Sequence, residues 1–242
     1  MPDLKETLGY NYLHHTKFNR KTIREKERPS ISPGEAFKGY GDVKKISLPV
    51  SWQKTGAELE ELLQKRRSVR QFSNENLSLE DLAFLLWSMQ GVTAQAGPYL
   101  LRTAPSAGAL YPVETYLAVD RVDGVDAGLY HFDVRNFQLE CLTDQSVSGL
   151  VARGALDQGF VSRAAVTVIW SAVFRRNMVK YGHRGLRYIM LDCGHICQNL
   201  LLAAESLDLK ACPVAAFYDD ELNALLDIDG VEESVIYLAS VG

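Results

Sequence analysis

Cysteine is scarce: Cys141, Cys193, Cys197 and Cys212 are the only four in 242 residues, too few for a disulfide framework at this length. The chain reads as a cytoplasmic protein with reduced thiols. A secretory leader is not seen either, since charge begins at Asp3 and the opening MPDLKETLGYNYLHHTKFNR has no apolar stretch of that kind. The longest uncharged run, Leu82 to Leu101, has the length of a membrane span. It contains Gln90, Gly91, Gln95 and Gly97-Pro98, and only its first half is helix-periodic, which excludes a bilayer crossing. Charge of one sign is in small excess: 26 basic against 30 acidic side chains leave −4, no basis for binding nucleic acid or an anionic membrane. Neither G-x-G-x-x-G nor a P-loop sequence occurs.

A metal site is not expected. Cys193-x-His195-x-Cys197 has ligand residue types, but on a helix His195 points away from both cysteines and no fourth ligand presents itself. Buried thiols in a core helix are the plainer reading. His14-His15 lies in a polar stretch and reads as exposed.

What is present is ordinary globular material, 47% apolar and 23% charged, enough for a sizeable core. Residues 1–50 stand apart: polar, rich in basic residues up to Arg28, and broken by Pro29, Pro33, Gly34, Gly39, Gly41 and Pro49. Their Tyr10, Tyr12, Phe18, Phe37 and Tyr40 suggest an arm that wraps over a partner subunit. Residues 51–242 form the main domain.

Within that domain, Thr55-x-x-Glu58 is a capping box for a helix carrying Leu59, Leu62 and Leu63, and Ser78-x-x-Asp81 opens a second that stops at Gly91. Strands are expected over 113–119, 164–174, 211–217 and 234–241, with a hairpin from 128–133 and 138–142. Helices are expected over 146–156, over 184–206, and over 219–226 with Asp219 as the cap. Strands and helices mix without regular βαβ alternation, so the class is α+β.

Three segments carry candidate chemistry. Arg66-Arg67-Ser68-Val69-Arg70 offers three guanidinium groups to a phosphate or carboxylate, although on spacing alone a solvated basic face at a helix end is the plainer reading. Pro105-Ser106-Ala107-Gly108-Ala109-Leu110-Tyr111-Pro112 lets backbone approach a flat ligand closely. Its Ala104-x-Ser106-x-Gly108 is also a degenerate nucleophile elbow, the mark of a serine hydrolase, but Pro105 and Pro112 break the strand–turn–helix context. Lys180-Tyr181 is an acid–base couple if partly buried, or a surface lysine beside a packed tyrosine.

Together these segments resemble the flavin-dependent nitroreductase superfamily. Arg66-Arg67-Ser68-Val69-Arg70-Gln71-Phe72 resembles its R-R/H-S-x-R-x-F signature, and Pro105 through Pro112 is similar to the P-S-A-G-x-L-Y-P form of the SagB-type dehydrogenases. Lys180-Tyr181-Gly182-His183-Arg184, Arg187-Tyr188, Gly194-His195, Gln198-Asn199-Leu200 and the early His14-His15-Thr16-Lys17-Phe18 are similar to the same subgroup.

The resemblance implies an α+β nitroreductase-like fold, a central mostly antiparallel sheet flanked by helices, in an interlocked homodimer with FMN at the interface. It implies that Arg66, Arg67, Ser68 and Arg70 hold the FMN phosphate, ribityl chain and pyrimidine edge. Pro105, Ser106, Ala107, Gly108 and Ala109 would reach the flavin from the other subunit. Gln158 stands where a polar flavin contact is found, and Val214, Ala215 and Ala216, after Pro213, match the segment beside flavin N5. Lys180 and Tyr181 match the pair implicated in deprotonating substrate in azoline-oxidising enzymes. Classical nitroreductases run on past the last strand to supply further basic residues to the phosphate. This sequence ends at Val241-Gly242, which leaves Arg184 or Arg187 as substitutes.

The implied function is two-electron transfer through flavin N5, with dehydrogenation of peptide azolines as the SagB-type reaction, one that works beside a cyclodehydratase. NAD(P)H-dependent reduction of nitroaromatics or quinones is the alternative within the family, and a non-catalytic flavin-binding protein the alternative outside it.

Overall fold

The computed structural model describes residues 3–20, 30–53 and 56–242. Thr55 of the expected capping box, and the basic run from Lys21 to Arg28 with Pro29, lie outside the described residues. In chain order the elements are α1 (Leu8–His15), β1 (Lys45–Ser47), α2 (Leu59–Lys65), α3 (Leu79–Gln90), β2 (Val92–Ala96), β3 (Tyr99–Arg102), β4 (Val113–Val119), β5 (Gly128–Asp133), β6 (Gln138–Thr143), α4 (Ser148–Gly154), β7 (Val166–Val173), α5 (Phe174–Tyr181), α6 (Gly185–Ser206), β8 (Ala211–Val214), α7 (Asp219–Leu225) and β9 (Glu233–Val241).

Seven strands form one sheet in the order β1-β6-β5-β4-β7-β9-β8, every neighbouring pair antiparallel. Alternation along the strands loads both faces. On β4, Val113, Leu117 and Val119 meet Leu82, Leu85, Leu86 and Met89 of α3 and Cys193, Ile196 and Leu200 of α6. Tyr116 and Ala118 point the other way, into Val151 of α4 and Leu222 of α7. The sheet is therefore sandwiched between two helical layers, the expected α+β nitroreductase-like arrangement, and β7 reads as one continuous apolar run because both its faces are covered.

Local chemistry accounts for the ends. The Ser78 hydroxyl caps α3 by accepting from the Asp81 amide at 3.0 Å. Gly91 stops α3 as expected, yet not by a left-handed turn: its φ is −57°, and a methyl there would lie 2.7 Å from the Trp87 carbonyl oxygen. Substituting Gly91→Ala is expected to lower the urea midpoint measurably, since the methyl would meet both the Trp87 ring and the Trp87 carbonyl oxygen.

Two expectations need correction, and two elements were not foreseen. The strand over 211–217 ends at Val214, because β8 is an edge strand with only four residues to pair against β9, and Phe217 turns into the core instead. Tyr218, not Asp219, occupies the α7 cap position without a side-chain bond. Asp219, Asp220 and Glu221 fill its first turn, where the helix dipole favours carboxylates. The β2–β3 hairpin inside the uncharged run and the short helix α5 were absent from the sequence-based expectation.

Residues of the first fifty lie against this chain's own body. Tyr12 Oη donates to the His183 carbonyl at 3.2 Å, Arg184 Nη1 to the Thr16 carbonyl at 2.8 Å, and Arg187 Nη2 to the Leu13 carbonyl at 2.6 Å. Among the described residues no helix is long and apolar enough to cross a membrane.

Candidate active site

The arginine segment runs along the outer side of β8. Arg66 ends α2, Ser68 bridges to Ala211 in parallel, and the Val69 amide donates to the Ala211 carbonyl at 3.0 Å. Arg67 Nη1 turns back onto the carbonyls of Gln64 and Arg66 at 2.8 and 2.7 Å, while Arg70 lies over the Phe160 ring at 5.6 Å. Among the described residues no carboxylate pairs with Arg66, Arg67 or Arg70, and Arg67, Ser68 and Arg70 are exposed. Gln158 Nε2 donates to the Ala155 carbonyl at 2.8 Å and to the Ala216 carbonyl at 3.2 Å, fixing the chain just beyond Val214 and Ala215. The expected arginine, Gln158 and 214–216 residues thus occupy one neighbourhood.

A second neighbourhood forms at the other end of the sheet, where the loop after Pro105 feeds β4. Gly108 (φ +66°), Ala109 (φ +54°) and Tyr111 (φ +44°) all hold left-handed backbone. For the two non-glycine residues that costs about 1–3 kcal/mol each, so surrounding contacts must hold the loop in place. A methyl at Gly108 would lie 2.6 Å from Tyr181 Oη and 2.7 Å from Lys180 Nζ, so both polar ends of the pair close on this one glycine. Only glycine leaves room for them. Tyr181 is braced from behind by the edge of Tyr188, ring centroids 4.9 Å apart, and Tyr188 Oη accepts from Arg184 Nε at 2.8 Å. Gly182 (φ +56°, ψ −148°) makes the corner between α5 and α6 that leaves Lys180 and Tyr181 at a helix end.

Ser106 is not a free nucleophile. Its hydroxyl donates to Asp192 Oδ2 at 2.6 Å and accepts from the Tyr111 amide at 2.9 Å; among the described residues no histidine bonds to that oxygen, so the serine–histidine pair of the hydrolase alternative is not formed. Arg184 and Arg187, the substitutes for the phosphate, have their guanidinium groups on residues 13–18 and Tyr188 instead. His195 is exposed while Cys193 and Cys197 are buried, as helix geometry requires, and burial pushes the Cys197 thiol up to about 12.

Beside the loop lies a buried ionic layer missed in the sequence. Arg176 of α5 donates to Glu114 Oε1 at 2.5 Å, to the Tyr111 carbonyl at 3.4 Å and to the Glu35 carbonyl at 2.6 Å. His131 stands between Glu114 Oε2 at 3.2 Å and Glu140 Oε2 at 2.9 Å, and Lys38 Nζ donates to Glu233 Oε2 and Tyr116 Oη, both at 2.6 Å. Burial alone would raise the Glu114 carboxyl, but the His131 hydrogen bond and the Arg176 charge outweigh it and the pKa falls to about 2. Burial opposes the His131 imidazolium, yet its two carboxylate partners raise it above the ordinary histidine value.

Comparison with known proteins decides the family. The nitroreductase family model matches residues 63–242. The chain belongs to that family. It is 38% identical over 202 residues to MJ1384 of Methanocaldococcus jannaschii, a protein named as a nitroreductase, covering 84% of this chain and 98% of that one. It is also 30% identical over 145 residues to the trifolitoxin-processing protein TfxB of Rhizobium leguminosarum bv. trifolii, covering 58% of this chain but 39% of TfxB. A crystal structure from Anabaena variabilis named as a nitroreductase superposes with TM-score 0.77 at 27% identity, over 96% of this chain and 45% of that one. The Escherichia coli McbBCD microcin synthetase complex shares the fold at TM-score 0.63 and 18% identity, covering 96% of this chain and 90% of that one. The chain is thus a nitroreductase-family oxidoreductase.

Proposed function

We propose that this nitroreductase-family oxidoreductase binds FMN as a homodimer and dehydrogenates a peptide azoline to an azole, with Lys180 and Tyr181 as the acid–base pair. One observation carries the reading: Lys180 Nζ and Tyr181 Oη converge on Gly108, in a loop held in left-handed backbone beside them.

The residues present fit FMN. Arg66 and Arg70 have no carboxylate partner among the described residues, which suits a phosphate or a flavin pyrimidine edge. The Gln158 bond to Ala216 sets the backbone expected beside N5. When bound, FMN supplies a two-electron acceptor at N5. The chain's own task is proton handling and positioning. Forming the azole removes one hydride and one proton: bound FMN would supply the two-electron acceptor, and Lys180 or Tyr181 would take the proton from the substrate carbon.

The dimer is supported by the layout of the two neighbourhoods. Ser68 sits at the Ala211 end of the sheet, level with Val119, while the 105–112 loop enters at Val113. The two ends of β4 are roughly 20 Å apart at the usual strand rise. An interface between two copies would bring the arginine segment of one against the 105–112 loop of the other, as the family resemblance implies. Three buried free thiols, Cys193, Cys197 and Cys212, suit the cytoplasm.

The test is the visible absorbance of the purified protein and the identity of what denaturation releases. Released FMN, lost in the Arg66→Ala and Arg70→Ala double variant, supports the reading. A colourless wild type that also refuses added FMN overturns it. Flavin reduction by NADH or NADPH with turnover of quinones or nitroaromatics, and none of azolines, would favour the reductase alternative.

A further inference from the structure

We infer that Asp192, a carboxylate on α6 with no part in the sequence-based expectation, is the positioning residue that holds the 106–111 loop against Lys180 and Tyr181. The inference rests on the proposed role of that pair and adds the group on which its geometry depends.

Asp192 bonds two consecutive residues of the loop. Ser106 Oγ donates to its Oδ2 at 2.6 Å, and the Ala107 amide donates to its Oδ1 at 3.2 Å. Ser106 Oγ then accepts from the Tyr111 amide at 2.9 Å, and the Ala109 amide donates to the Ser106 carbonyl at 3.0 Å. One carboxylate therefore ties off both ends of a loop whose middle holds Gly108, Ala109 and Tyr111 in left-handed backbone. Gly108 sits at the crest, in contact with Lys180 and Tyr181.

Asp192 is an expensive choice for mere packing. Its neighbours Ile189, Cys193 and Ile196 are buried and apolar, and no salt bridge reaches it among the described residues. Burial pushes its carboxyl up, against the hydrogen bonds from Ser106 and Ala107 that favour the charged form. Behind the loop is a cavity of only about 10 Å³, lined by Gln90, Tyr111, Asp192 and Ile196 among others, so the loop has one small space to relax into. The loop's other holds act on Tyr111: its hydroxyl accepts from the Arg102 amide at 3.0 Å and its carbonyl from Arg176 at 3.4 Å. Asp192 is the group from outside the loop that bonds residues 106 and 107 among the described residues.

The experiment has one arm that needs no flavin. Amide hydrogen exchange of the full chain, followed by mass spectrometry, compares wild type with Asp192→Ala, Asp192→Asn and Ser106→Ala. Peptides over 104–112 are expected to exchange about ten- to a hundredfold faster in Asp192→Ala and Ser106→Ala, the ratio for losing a hydrogen bond to a charged group. Peptides over 196–204 stay unchanged, and Asp192→Asn, which keeps an acceptor for the Ser106 hydroxyl, recovers most of the protection. In the FMN-loaded enzyme, Asp192→Ala is expected to lower kcat about tenfold with little change in KM, and Asp192→Asn to restore it. Wild-type exchange over 104–112 in Asp192→Ala, or faster exchange with unaltered kcat, overturns the inference. If Asp192→Ala fails to fold, Ser106→Ala and Asp192→Asn make the same comparison. A wild type that binds no FMN defeats the proposed function, whereas the exchange arm still decides whether Asp192 holds the loop.

Discussion

Substituting Lys180→Ala together with Tyr181→Phe is expected to reduce azoline dehydrogenation by about 10²–10⁴-fold, the range for a positioned acid–base group, while bound flavin stays in place. Flavin retention is expected because the arginines proposed to hold its phosphate lie away from the pair. Lys180 and Tyr181 stand at the end of α5 against Gly108, and the arginine segment lies along β8 at the other end of the sheet. Gly108→Ala approaches the same site from the opposite side. Its methyl would meet Tyr181 Oη and Lys180 Nζ at under 3 Å, at a backbone φ of +66° that L-residues resist. It should therefore lower kcat with both side chains still present. Reduction of a quinone by a nicotinamide-charged flavin needs no base at that point and should survive the Lys180→Ala and Tyr181→Phe changes. If every oxidation and reduction assay is indifferent to the double variant, the catalytic role of the pair is lost, and a flavin-storing or flavin-sensing protein becomes the better reading.

The second large effect is on stability. Glu114→Gln is expected to destabilise the fold by about 3–5 kcal/mol, because it leaves Arg176 and His131 buried without their shared counter-charge. Urea unfolding at neutral pH reads this directly. The same layer sets the pH profile. Glu114 titrates near 2 in the folded chain, well below an ordinary carboxylate, so its contribution is complete above about pH 4.5 and disappears as pH falls through 2. His131 is shifted upward, so its contribution is complete below about pH 6.5 and disappears as pH rises through its folded value. Stability should fall on both sides of a mildly acidic plateau, and Glu114→Gln should flatten the acid side. An unchanged urea midpoint for the variant across pH 3 to 9 would remove the ionic layer from the account.

Periodicity and capping made most of the fold legible: β4 and the β5–β6 hairpin fall within a residue of where alternation puts them, and Ser78 caps α3 through the predicted bond. Helix α5 was hidden because Phe174-Arg175-Arg176-Asn177 continues an apolar strand into a charged stretch with no capping residue between them. The β2–β3 hairpin was hidden because Gly97-Pro98 looked like a loop rather than the turn between a mostly exposed strand and a half-buried one. In the site, the three motif segments were visible as residue types, and the structure brings the Pro105–Pro112 loop onto Lys180-Tyr181. Asp192 left one faint signal, a lone carboxylate in the weakly polar middle of a long helix. Glu114, His131 and Glu140 left none, because they lie on three different strands and meet only through register.

The sheet's two borders have a consequence for how copies of this chain meet. One border is β1, three residues long; the other is β8, which carries Pro213 and is screened by Ser68 and Val69. Neither offers a run of open backbone long enough to template a strand from a second molecule. Self-association is thereby steered away from sheet extension and towards side-chain surfaces such as the outer flank of α6, where Met190 and Leu191 are exposed. A chain cut back to residue 63, where the family match begins, would lose that protection: β6 would become a bare six-residue border, prone to aggregate with its own kind.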